Sequence, residues 1–345
     1  MSRLSVLTFL FLSTVASIGL TFWDGNDPGN GMTAAAEKLI KLLDADQKKT
    51  AVLEYGNPER LGWHFIPKDE RKGLQVKHMT QAQQEAAFLL LKNALSEMGY
   101  RKTRQIMELE KVLNEFEEGK GRWARDFERY YFTIFGNPGE DERWGLSVEG
   151  HHLSLNFVVD DSQLIGTTPQ FFATNPAIVK NANSVGVEVG TRVLDVEETT
   201  AFALVQSLTS EQKTQAIIAD KALSEIRAAG EPQPPVTEPV GIRYEQLTSE
   251  QRALLLKLID EYINAMPGPV AKQRNDQLHF DGLNQIHFAW AGATEPGIGH
   301  YYRVQTPSFL IEFVNTQPDA AGNPANHIHC VWRDLRGDFA LAIEE

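Results

Sequence analysis

The chain has 345 residues, of which 42% are hydrophobic, and its 33 basic against 46 acidic side chains leave a net charge of −13. That length accommodates two ordinary domains or one large one, with enough apolar material for a sizeable core. The acidic balance, with no cluster of Lys and Arg to offset it, excludes nucleic acid as the expected partner, because phosphate contacts need a basic surface.

The chain opens on Arg3 and a mostly apolar, uncharged run from Leu4 to Leu20, with small residues at Val15-Ala16-Ser17 and Ser17-Ile18-Gly19. This reads as a signal peptide over residues 1–20 and predicts an exported protein, periplasmic or extracellular. The alternative is an uncleaved anchor, since the run is near the lower limit for spanning a bilayer. No later stretch of that length is both mostly apolar and free of charge, so the rest is expected to be soluble and off the membrane. The single cysteine, Cys330, rules out an intramolecular disulfide.

Four segments carry the same helix-start pattern: Leu43-Asp44-Ala45-Asp46-Gln47, Met79-Thr80-Gln81-Ala82-Gln83, Leu208-Thr209-Ser210-Glu211-Gln212 and Leu247-Thr248-Ser249-Glu250-Gln251. Each has a capping residue, a Gln three positions later, and an apolar residue in front that can act as a staple. Stripes such as Phe88, Leu91, Leu95 and Leu254, Leu258, Tyr262 continue them as helices. Asp44 and Thr80 precede Thr209 and Thr248 by 165 and 168 positions. Phe132-Thr133-Ile134-Phe135-Gly136 rhymes with Phe288-Ala289-Trp290-Ala291-Gly292, and Gly150-His151-His152 with Gly299-His300-Tyr301. The spacing predicts two helix-then-strand halves, about 33–195 and 196–340, within one unit over 33–340.

Strand patterns gather late in each half. His151 to Val159 alternates, with His151, Leu153, Leu155 and Phe157 on one face. Leu278 to Leu283 contains Asp281-Gly282, a hairpin signal. Tyr301 to Val304, Ser308 to Val314 and Ile328 to Trp332 complete a predicted antiparallel sheet. Gly230-Glu231-Pro232-Gln233-Pro234-Pro235 reads as an exposed loop. Helices in runs and strands in runs give an α+β class, helical segments packed on a mainly antiparallel sheet. A Gly-x-Ser-x-Gly elbow and a Gly-rich phosphate loop are both missing, which argues against a serine hydrolase and a nucleotide enzyme.

The most informative feature is Asn326-His327-Ile328-His329-Cys330. In a strand, residues two apart share a face, so His327 and His329 can grip one metal together. The alternative is two hydrogen-bonded histidines beside a core. Cys330 points the other way and reads as a small core residue.

Several ordered motifs carry a resemblance: Trp63-x-x-x-Pro67, Arg71-Lys72-Gly73-Leu74, Gly150-His151-His152-Leu153-Ser154-Leu155-Asn156, Phe171-Phe172-x-x-Asn175-Pro176-Ala177, His300-Tyr301-Tyr302-Arg303, and Asn326 to Asp334. The chain resembles the bacterial domain-of-unknown-function family numbered 3500, from about Thr33 to Phe339. The resemblance implies one family unit and an exported bacterial protein, and no particular activity. The chain departs from it after Phe339, where Ala340 and a short acidic tail replace a Gly and a later His.

The expected site is a divalent metal on His327 and His329 with a third ligand from His152 or His300; zinc is the first expectation, with copper, iron or manganese as alternatives. His151, on the face of Leu153, reads as a core histidine bonded to backbone. Glu312, in the apolar strand Phe309 to Val314, is expected to be a general base, a fourth ligand, or a buried partner of Arg303 or Arg333. Arg303 and Arg333 are the expected clamps for an anionic small-molecule substrate. Asp334 and Asp338 would orient a histidine from behind. Together these residues predict a metal-dependent hydrolase, with metal-dependent redox chemistry on the same ligands or a non-catalytic ligand- or metal-binding protein as alternatives.

Overall fold

The computed structural model describes residues 27–235 and 237–341; the signal segment expected at 1–20 lies outside the described residues. Among the described residues no helix is long and apolar enough to cross a membrane.

The first half of the chain runs α1 (Pro28–Leu42), α2 (Ala45–Ala51), β1 (Val52–Leu53), β2 (Leu74–Gln75), α3 (Gln81–Ala94), α4 (Glu97–Phe116), β3 (Tyr131–Phe135), β4 (Arg143–Gly150), β5 (Leu153–Asp160), β6 (Gln163–Gly166) and β7 (Gln170–Thr174). The second runs α5 (Asp195–Ser207), α6 (Ser210–Ala216), β8 (Ile217–Ala219), β9 (Ile242–Arg243), α7 (Ser249–Ile263), α8 (Gly268–Asp281), β10 (His287–Gly292), β11 (His300–Gln305), β12 (Phe309–Asn315) and β13 (Ile328–Asp334). The fold is α+β. The four capping boxes form on Asp44, Thr80, Thr209 and Thr248, so each helix start satisfies two of its free N–H groups locally.

All strands join one mixed, mainly antiparallel sheet in the order β1-β3-β4-β5-β7-β13-β12-β11-β10-β8, with β2 on β3, β6 on β5 and β9 on β10. The order reads alike from both edges. A short strand pairs parallel to the next, β1 with β3 and β8 with β10. Antiparallel pairing then runs inward until β7 meets β13. The likeness reaches single hydrogen bonds. Gln47 and Gln83 exchange amide bonds of 3.1 and 2.7 Å, while Gln83 Nε2 donates to the Leu42 carbonyl. Gln212 and Gln251 exchange bonds of 2.8 and 2.9 Å, while Gln251 Nε2 donates to the Ser207 carbonyl.

The sheet has two unlike faces. Leu153, Leu155, Phe172, Phe288, Tyr302, Phe313, Cys330 and Trp332 pack with the helices in the main core. The residues between them point to a layer of irregular chain, where Trp63, Phe65, Ile226 and Phe339 cover Phe171, Ala173, Tyr301, Val314 and Val331. The Gly230–Pro235 loop belongs to this cover, since the Glu231 carbonyl accepts from Trp63 Nε1 and Arg333 Nη2. The hairpin expected at Asp281-Gly282 is instead the end of α8. Gly282 takes φ 87° and its N–H closes on the His279 carbonyl. A Gly able to adopt positive φ serves a helix C-terminus as well as a hairpin, and the local pattern does not separate them.

Candidate metal centre

Two segments bring three histidines together at one end of β13. His152 lies on the two-residue turn from β4 to β5, His327 just before β13, and His329 within it. The strand expected from His151 therefore starts at Leu153. His152 adopts φ 64°, a costly conformation for a residue with a Cβ. The surroundings hold it there: its N–H donates to the Phe65 carbonyl and its carbonyl accepts from Ala173, both at 2.9 Å. Gly150 lets the turn close, because a Cβ there would meet the Tyr130 ring at 2.2 Å, and Tyr130 Oη donates to the His151 carbonyl.

The three rings bring their Nε2 atoms together. His327 Nε2 lies 2.8 Å from His152 Nε2 and 3.0 Å from His329 Nε2. The edge of a tetrahedron of zinc-bound nitrogens is about 3.3 Å, so the set is close to ligand spacing. His329 Nδ1 sits 2.9 and 2.8 Å from the two oxygens of Glu225, which places its proton on Nδ1 and turns the Nε2 lone pair toward its neighbours. Burial, followed by the charges of neighbouring groups, holds His152 and His327 well below the ordinary imidazole value. Both are therefore neutral, the form that binds metals.

A further atom bears on the fit. Asn175 Oδ1 is buried without a partner, while its Nδ2 lies 3.4 Å from His327 Nδ1. Rotating the amide by half a turn would present the oxygen to an Nδ1–H of His327. That satisfies the orphaned atom and frees the His327 Nε2 lone pair. The donor set thus suits a metal ion: His152, His327 and His329 can hold one, with their donor atoms within 4.8 Å of one another.

Beside them Glu110, His151 and His152 form a second group of the same tightness. His151 is not bonded to backbone as expected: its Nδ1 meets Glu110 Oε1 at 2.6 Å, and its ring lies against that of His152 with centroids 3.5 Å apart. Arg125 Nη1 approaches the His151 ring nitrogens at 3.3 and 3.5 Å while the guanidinium pairs with Glu117 at 2.9 and 2.8 Å. A cavity of about 20 Å³, bordered by His151, Glu110, Lys68, Arg71 and Arg129, adjoins this pair. Lys68 and Arg71 also line an open cleft of about 530 Å³ with Trp63, His64 and Lys72.

Residues 26–341 match the family model described as protein of unknown function (DUF3500). The chain belongs to that family. No curated protein and no solved structure matches it.

The remaining candidates in this DUF3500 protein sit elsewhere. His300 points to the helix face, as do its neighbours Asn315 on β12 and Ile328 on β13, whereas His329 points to the loop face. Its Nδ1 meets the Ile298 carbonyl at 2.8 Å, its Nε2 lies 3.2 Å from Glu198, and its ring stacks on Trp290. It is thus no third ligand. Glu312 is fully buried, and its Oε1 accepts from Arg227 at 2.8 Å and Tyr301 at 2.6 Å, so its partner is neither Arg303 nor Arg333, and it stands outside the group of histidines that could hold a metal. Arg303 stands opposite Glu312 in the sheet with its Nε unpartnered. Arg333 is no substrate clamp: it pairs with Asp338, donates to the Ala228 and Glu231 carbonyls, and lies over the Trp63 ring. Asp338 serves Arg333 and Asp334 serves Arg336, so neither orients a histidine. Asn315 does act on the centre, accepting the His327 N–H at 3.0 Å. Sequence reasoning missed Glu225, Asn175, Glu110 and Arg125. Glu225 lies in irregular chain with no periodic signal, and Asn175 sits in a motif whose pattern points to no ligand role.

Proposed function

We propose that this protein is an exported, metal-dependent hydrolase, with zinc held by His152, His327 and His329. The convergence of three Nε2 atoms carries the reading. Three protein ligands leave a position for water or substrate, and the part-exposed His327 is the side open to solvent. A zinc ion there would supply Lewis acidity and lower the pKa of a bound water to about 7.

The protein's own groups supply the rest. Glu225 fixes the tautomer and direction of His329. The Glu110–His151 pair, in contact with His152, is the proton acceptor for water, with Glu110 orienting the ring as a carboxylate orients a catalytic imidazole. Arg125 holds positive charge at the same pair. The substrate is a small molecule, and the nearby cleft offers it both cations, Lys68, Arg71 and Lys72, and carboxylates, Glu59, Glu70 and Glu149, the last paired with Lys72 at 2.7 Å. The apolar run Leu4 to Leu20 supports export.

Protein purified without a histidine tag should contain about one zinc per chain by mass spectrometry. The His327→Ala/His329→Ala double variant should contain almost none and lose hydrolysis of p-nitrophenyl ester and phosphodiester probes. Unchanged metal content in the variant removes the site. A second reading, metal binding without turnover, is favoured by the burial of His152 and His329. It predicts stoichiometric metal with no hydrolysis of any probe.

A further inference from the structure

On the helix face, at the far end of β13 from the histidines, the start of β12, the approach to β7 and the outer turns of α8 enclose a cavity of about 80 Å³. Its feature is Arg274. The side chain is about nine-tenths buried, yet among the described residues no carboxylate bonds it. Nη1 donates to Gln170 Oε1 at 2.8 Å and to the Tyr262 carbonyl at 3.4 Å, and Nη2 donates to Thr167 Oγ1 at 2.9 Å. All are neutral oxygens. The guanidinium also lies 4.5 Å above the Trp332 ring, whose other neighbour, Phe309, stacks at 4.2 Å. Burial pushes Arg274 down to about 9, with Asp334 the opposing influence. Asp334 is itself committed to Arg336 at 2.8 and 3.0 Å, and Asp281 to Ser308 and Gln277.

A buried cation without a countercharge is expensive, and arginine does not shed its proton at neutral pH. The missing charge is one negative unit facing a preformed space. We propose that this cavity binds a small monocarboxylate, its carboxylate beside Arg274 and its short apolar part toward Val270 and Phe309. The volume is about half that of the roughly 150 Å³ cavity that admits benzene, which limits the ligand to a few heavy atoms. A dianion such as phosphate would overbalance Arg274 and face the Asp334 carboxylate nearby. The site is independent of the metal centre, on the other face of the sheet.

The test is calorimetric titration of the full chain with sodium acetate, against sodium chloride at equal ionic strength. The expected result is one saturable acetate site, absent with chloride. Arg274→Met should weaken it roughly ten- to hundredfold, the usual range for a lost charged hydrogen bond. Val270→Phe, which keeps Arg274 and fills the space, should also abolish it, and so carries the test if Arg274→Met does not fold. The His327→Ala/His329→Ala variant should bind acetate as the parent does. No saturable acetate heat, affinity unchanged in folded cavity variants, loss in the histidine variant, or saturation by phosphate in place of acetate would each overturn the proposal.

Discussion

At the scale of single residues, the centre depends on which nitrogen of each imidazole carries its proton. Glu225 settles this for His329 through two contacts below 3 Å. Glu225→Gln should therefore lower zinc affinity about 10- to 100-fold, the usual cost of losing a carboxylate behind a metal-bound histidine. A chelator-competition titration measures this, and equal affinities would show that the carboxylate plays no part. His300→Gln should leave metal content unchanged, because that ring faces the helices. Parity explains what the sequence could reveal here. The spacing of His327 and His329 fixes a shared face once a strand is granted. Choosing between His152 and His300 requires knowing which strand neighbours β13 and in what register, and that depends on pairing between distant segments.

At the scale of elements, the helices were legible because their signals are local. A capping box and an apolar stripe both fall within one turn or two, and all four boxes formed. The turn at His151-His152 was not legible, since alternation continues smoothly from Leu153 back through His151. Only the closure of the Tyr130 ring on Gly150 places the corner there. Gly150→Ala should displace His152 and lower both metal content and stability, read by metal analysis and thermal unfolding. Between helices, Lys102 on α4 reaches Glu197 on α5 at 2.7 Å and Glu261 on α7 at 2.6 Å. Removing the ammonium strands Glu197, which is almost wholly buried. Lys102→Met should cost about 3–5 kcal/mol in urea unfolding, the range for breaking a buried pair.

At the scale of the whole molecule, the sheet reads alike from both edges, yet the two halves contribute unequally to the centre. The first supplies His152, with Glu110 and Arg125; the second supplies His327, His329 and Glu225. The chain must therefore bring β5, β7 and β13 side by side before the site exists. The likeness of the halves has its own consequence: Gln83 and Gln251 hold matching bonds at matching helix starts. Replacing either by Ala should cost about 0.5–1.5 kcal/mol for each hydrogen bond lost, and the two costs should agree, because each variant loses the equivalent bonds, to the Leu42 or the Ser207 carbonyl and to Gln47 or Gln212. Denaturant unfolding of the two variants checks this. Whether three imidazoles form a metal site is decided by X-ray absorption at the zinc edge on untagged protein. The expected result is about one zinc per chain with three nitrogen neighbours at about 2.0–2.1 Å, lost in the His327→Ala/His329→Ala variant. Protein that refuses stoichiometric zinc, or zinc whose neighbours are unchanged in that variant, would contradict it.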